Sequence, residues 1–107
     1  LNSADWRAWS NAGTALARLE RWREAADALI AARHLNPDEL ALRRNLLSAL
    51  VNAARWDEAA EEARELLDRS PDDGATRMLY AQVLTELADH PQALAQTAEA
   101  LRRDRAQ

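Results

Sequence analysis

The chain has 107 residues, 48% hydrophobic and 30% charged, with a formal net charge of −4. This is the size of one ordinary domain or a short repeat array, with no room for a catalytic domain plus a regulatory one. Alanine (25) and leucine (17) dominate the apolar residues, against three β-branched aliphatics (Ile30, Val51, Val83), two glycines and three prolines, so the composition is helical. No uncharged run exceeds ten residues, far short of the ~20 apolar residues a membrane span needs, and the mean hydropathy is −0.52. The acidic balance argues against a dedicated nucleic-acid binder, which normally shows a basic excess. With no cysteine there is neither a disulfide framework nor a thiolate metal site. The sequence begins at Leu1 without a signal-peptide pattern, so it is expected to be a fragment of a longer protein, with its compartment left open.

In chain order, Asp5 can cap a first helix running to about Leu19, with Ala8, Trp9, Ala12, Ala15, Leu16 and Leu19 on one apolar stripe. A second helix runs from about Arg23 to Leu35 with Ala25, Ala26, Leu29 and Ala32 inward, and Pro37 ends it. Only three or four residues separate the two, so the second must return antiparallel to the first. The same pattern predicts helices over roughly Glu39–Ala53 and Asp57–Arg69, bounded by Pro71. Asp73 and Gly74 open a fifth helix to about Ala88. Asp89, His90 and Pro91 start a sixth, with the proline in the first turn where its missing N–H does no harm.

Displacing the chain by 34 residues superposes Trp22 on Trp56, Pro37 on Pro71, Ala25-Ala26 on Ala59-Ala60, Leu16 on Leu50 and Asn11 on Asn45. Ten of 34 positions match, where this composition would give about four by chance. A second displacement matches eight positions, including Arg43 with Arg77 and Leu50 with Leu84, so three units follow: 6–39, 40–73 and 74–107. Alanine recurs where paired helices must approach closely, at Ala25, Ala59 and Ala93. A generic up-and-down helix bundle would not require this fixed period.

These units resemble the tetratricopeptide repeat (TPR) family, whose signature is Trp-x2-Leu-Gly-x2-Tyr, Ala-x3-Phe and then Pro. Unit one reads Trp9-x2-Ala12-Gly13-x2-Leu16, Ala25-x3-Leu29, Pro37. Unit two reads Arg43-x2-Leu46-Leu47-x2-Leu50, Ala59-x3-Ala63, Pro71, and unit three has Arg77, Tyr80, Ala81, Leu84 and Ala93 in the same slots. The resemblance implies an all-α solenoid: a right-handed superhelix of three antiparallel helix pairs in one domain, 1–107. It also implies a module that binds an extended peptide or partner protein in a concave groove lined by the first helix of each pair. By that analogy the lining consists of Arg7, Ser10, Asn11, Thr14, Ala17 and Arg18, then Ala41, Arg44, Asn45, Ser48, Val51 and Asn52, then Ala75, Met78, Leu79, Gln82, Thr85 and Glu86. TPR domains that clamp the acidic tails of heat-shock chaperones carry cations and asparagines where this chain has Ser10, Thr14, Asn45, Ala75 and Leu79. Only Asn45 corresponds, which sets that clamp and a co-chaperone role aside.

Charge is segregated within the units. The first-helix segments hold five arginines (Arg7, Arg18, Arg43, Arg44, Arg77) and one acid, Glu86, for a net +4, and the remainder is net −8. Either the groove prefers an acidic or C-terminal segment, or these are solvated faces of a repeat array; weaker partner binding after Arg7→Ala and Arg44→Ala would favour the first. The acids Glu58, Glu61, Glu62 and Glu65 are expected to coat the back.

No enzyme is indicated, because the chain lacks a phosphate-binding glycine loop and a nucleophile motif, and Glu61, Glu62 and Glu65 read as a solvated helix face. Neither a metal nor a cofactor is expected: His34 and His90 are far apart and share no helical face. Trp22 and Trp56 read as packing between helices. A stacked array exposes apolar surface at its ends, here Leu84, Leu87, Leu94 and Leu101, with Trp6 at the front. Those ends suit either further repeats or a homo-oligomer, which makes self-association the alternative function.

Overall fold

The computed structural model describes residues 5–87, 98–100, 102 and 103. Five α-helices follow in order: α1 (Trp6–Arg18), α2 (Trp22–Leu35), α3 (Leu40–Asn52), α4 (Trp56–Arg69) and α5 (Gly74–Glu86), with helical backbone again at 98–100 and 102–103. Among the described residues there is no strand, and no helix is long and apolar enough to cross a membrane. Packing divides the chain into two bodies, Leu1–Ala54 with α1 to α3 and Arg55–Gln107 with α4 and α5.

The caps follow the sequence. Asp5 accepts a hydrogen bond from the Arg7 N–H at 3.0 Å, and Asp73 accepts from the Thr76 N–H at 3.2 Å and the Thr76 hydroxyl at 2.9 Å. α2 and α4 begin one residue earlier than predicted, each on its tryptophan, with Arg21 and Arg55 before them donating to Glu24 and Glu58 at 2.8 Å. Hydrogen bonding to Glu24, and then its charge, holds the Arg21 guanidinium above the usual arginine range. These pairs lie at the surface and fix local geometry more than stability.

In the first body α1 packs on α2, α2 on α3, and α1 touches α3. The core is Ala25, Ala26, Leu29 and Ala32 of α2 against Leu42, Leu46, Leu47, Ala49 and Leu50 of α3, with Gly13 buried where α1 crosses α2. In the second body α4 packs on α5 through Ala59, Ala60, Ala63 and Leu66, and Tyr80, Ala81, Val83 and Leu84. Ala25 and Ala59, expected at close approach, are buried. Their methyl groups allow the short interaxial distance that leucine would forbid.

The hairpin turn repeats as well. After α1 the chain closes through Glu20 N–H to Ala17 O (2.9 Å) and Arg21 N–H to Leu16 O (2.9 Å), with Glu20 in the left-handed region at φ 59°. Ala54, 34 residues on, also has φ 59°. Glycine holds this conformation without the penalty of about 1 kcal/mol that a Cβ incurs. Since Ala54 is exposed, Ala54→Gly should raise unfolding stability by about 1 kcal/mol in urea denaturation; a lower midpoint would contradict the turn geometry.

The sequence period puts Leu19 on the apolar stripe of the first helix, but it is the C-cap of α1 and 67% exposed, and Ala15 is exposed too. The chain leaves the helix at Leu19, so the stripe ends at Leu16. Glu62 is expected on the solvated back with Glu61 and Glu65, but it is 1% exposed and not without a partner. It lies three and four residues from Ala59 and Leu66, on the buried face, in the slot where Ala28 is buried in the first hairpin. Leu84, expected on an open end, is 3% exposed because α5 packs that face on α4. Leu87 is exposed as expected, whereas Leu94, Leu101, His90 and Ala93 lie outside the described residues.

Arg43 and Arg77 share one structural role rather than lending charge to a groove. Arg43 is 3% exposed and donates through Nη1 to the Pro37 carbonyl at 3.2 Å; Arg77 donates through Nε to the Pro71 carbonyl at 3.2 Å. Each ties the turn before its helix to the helix's first turns, so the paired recurrence of arginine and proline is a tie between repeats. Arg77→Ala should lower stability by about 1.5 kcal/mol, measured by thermal or urea unfolding.

Candidate protein-interaction site

The 3.6-residue period gathers polar side chains into one stripe on α1, where Arg7, Asn11, Thr14 and Arg18 are exposed and Ser10 is half-buried. A second stripe on α3 consists of Arg44, Asn45, Ser48 and Asn52, all exposed. The two stripes belong to one body and both helices rest on α2. Val51, expected in the lining, is buried instead. On α5, in the second body, Met78, Gln82 and Glu86 are exposed four residues apart.

A cavity of about 300 Å³ brings part of the first body's stripes together. Thr14, Ala17 and Arg18 of α1 line it from one side and Asn45, Ser48 and Ala49 of α3 from the other, with Trp22 and Leu29 of α2 completing the wall. Of the positions named from the family resemblance, Thr14, Ala17, Arg18, Asn45 and Ser48 line this one cavity. The remaining predicted polar residues of the first body, Arg7, Ser10, Asn11, Arg44 and Asn52, stand outside that lining.

Trp22, Leu29 and Ala49 are the lining residues absent from the expected groove, and Trp22 is the half-buried one. Its slot partner Trp56 made it look like packing alone, and it is indeed half-buried, yet it stands at the start of α2 beside the ends of α1 and the middle of α3. Leu29 and Ala49 contribute the buried apolar floor.

The polar groups differ in what they can still offer. Thr14 donates its hydroxyl hydrogen to the Ser10 carbonyl at 3.0 Å, which leaves its lone pairs to accept. Asn52 donates one amide hydrogen to the Ser48 carbonyl at 2.9 Å and keeps its carbonyl oxygen and second hydrogen. Asn11 and Asn45, in the same slot of successive units, present carboxamides that can both donate and accept. Among the cations, Arg7 lies over the Trp6 ring at 5.1 Å and Arg44 has a partner, whereas Arg18 forms no ion pair among the described residues. Arg18 also stands in the last turn of α1, where a cation offsets the helix dipole. Among the described residues no group of three His, Cys, Asp or Glu side chains could hold a metal ion.

The sequence profile described as Tetratricopeptide repeat matches residues 10–73 and 44–107. The chain belongs to the tetratricopeptide repeat family. No curated protein sequence matches it significantly. Solved structures of this TPR chain's fold include one described as MamA MSR-1 C2, with a TM-score of 0.89 and 22% identity over 98% of this chain and 60% of the other. A second, MamA AMB-1 P212121, gives 0.89 at 23% identity over 96% of this chain and 56% of the other. A third, described as a crystal structure of MamA, gives 0.86 at 18% over 99% and 62%. At such identities the likeness establishes the all-α TPR fold, and the chain spans less than two thirds of each of these proteins.

Proposed function

We propose that this TPR chain is a protein-interaction module that holds an extended polypeptide segment against the face formed by α1 and α3. Family membership supports the coarse reading, a module for binding other proteins or scaffolding them. The observation that carries the finer one is the cavity shared by Thr14, Arg18, Asn45 and Ser48 over Trp22 and Leu29. An extended segment offers unpaired N–H and C=O groups every residue, and amides and hydroxyls spaced along two helices can answer them. From Asn11 to Arg18 the stripe on α1 covers roughly 10 Å, the span of about three extended residues. Met78, Gln82 and Glu86, expected in the lining by the family resemblance, are exposed on α5 of the second body. In this reading units 6–39, 40–73 and 74–107 form one domain.

The experiment is capture of partners with the 107-residue chain, followed by competition with short peptides from them. Replacing Asn11 and Asn45 together with alanine should weaken binding by about tenfold through lost hydrogen bonds to the segment's backbone. Unchanged affinity in the double variant would remove the face from consideration.

The distribution of charge supports a second reading, self-association. Residues 1–54 carry seven arginines and six acids, and residues 55–107 carry seven arginines and twelve acids, so one half is net +1 and the other net −5. Opposite halves of two copies would attract, more strongly at low salt. Light scattering over a concentration series should then reveal larger species that dissociate as salt rises; a strict monomer at every concentration would end this reading.

A further inference from the structure

We infer that the cavity of the first body selects an internal acidic residue adjoining a bulky apolar one: a Phe, Leu or similar side chain enters between α1 and α3, and a neighbouring Asp or Glu pairs with Arg18. The inference rests on the groove reading above and deepens it by naming the chemistry of the segment. Volume comes first. A cavity of about 150 Å³ holds a benzene ring, so about 300 Å³ takes a large side chain together with the backbone that carries it. The wall fits such a group, since Trp22, Leu29, Ala17 and Ala49 supply an aromatic face and aliphatic surface.

Charge decides the neighbour. Arg18 is the lone charged side chain on the lining, is exposed at the rim, and forms no ion pair among the described residues. Arg21, three residues on, is already engaged by Glu24 through both guanidinium nitrogens that face it. A carboxylate on the incoming segment is the group that Arg18 can grip in two-point fashion beside an apolar anchor. Continuity of the polar face makes the acid internal. Outside the cavity the polar face continues through Ser10 and Asn11 on α1 and through Asn52, one turn past Ser48, on α3, so a segment passes through the site and does not end in it.

The test begins with selection of binders from a random dodecapeptide library on the immobilised 107-residue chain. The expected consensus pairs a bulky apolar residue with Asp or Glu next to it. A blocked synthetic hexapeptide, acetyl-Ser-Gly-Phe-Glu-Gly-Ser-amide, is then titrated by heteronuclear NMR. Changing its Phe to Ala should weaken binding at least tenfold, and changing its Glu to Gln three- to fivefold. In Arg18→Gln the Glu and Gln peptides should bind alike while the dependence on Phe persists.

Binders that need Asn11 and Asn45 but lack the apolar–acidic pair would overturn this inference and leave the groove standing. Binders indifferent to Asn11, Asn45 and Arg18, or a library without binders, would overturn both. A peptide ending in a free Phe carboxylate that outcompetes the blocked one would overturn the internal placement of the acid.

Discussion

Gly13→Val should lower unfolding stability by about 3 kcal/mol, visible as a large fall in the urea midpoint with an unchanged slope. A Cβ built at Gly13 would lie 2.6 Å from Leu29 Cγ, 2.8 Å from Leu29 Cδ2 and 3.2 Å from the Ala25 carbonyl oxygen. The carbonyl belongs to the α2 backbone and cannot swing away. Leu29 is buried, so its side chain can yield only by shifting toward the cavity it lines. Glycine costs about 1 kcal/mol of helix propensity relative to alanine, and close approach of α1 to α2 is what offsets that cost here. Gly13→Ala should be milder for the same reason. Combined with Leu29→Ala, which removes the obstructing atoms, it should show a coupling of at least about 1 kcal/mol in a double-mutant cycle. Strict additivity would mean that the two side chains do not meet.

Ala17→Leu should weaken binding of a partner segment at least tenfold while leaving stability within about 1 kcal/mol of the parent chain or raising it. Ala17 is half-buried on the cavity wall beside Thr14 and Arg18, so the longer side chain would project into the space proposed for the apolar anchor. Filling apolar space is favourable for the free protein, and the loss therefore falls on the complex. The two measurements separate this outcome from simple misfolding, since a helix signal and unfolding midpoint equal to those of the parent must accompany the lost affinity. Full binding by a folded variant would show that the cavity is not where the segment sits.

Much of the fold is legible in the residues because the relevant forces act over short stretches of chain. The 34-residue period, the capping acids Asp5 and Asp73, the prolines after α2 and α4, and the stripe of small residues at Ala25, Ala26, Ala59 and Ala60 all state local requirements. Those requirements hold whatever the neighbouring helix does. The polar stripe of the candidate site, Asn11, Thr14 and Arg18 with Asn45, Ser48 and Asn52, followed from the resemblance to the repeat family, because helical period separates apolar from polar positions without saying which polar ones face a partner.

What tertiary structure alone decided concerns where two elements meet. A glutamate at 62 reads as solvent-facing because burying a carboxylate is costly, yet the face that α4 turns inward carries it with a partner. Arg43 reads as groove charge until the turn at Pro37 presents a carbonyl to its guanidinium. Leu19 reads as core until the helix stops beneath it, and Trp22 reads as filler until α1 and α3 stand close enough to make it a wall. Residue type sets the free energy of leaving water, whereas the geometry of the neighbouring helix sets whether a partner is there to receive the group.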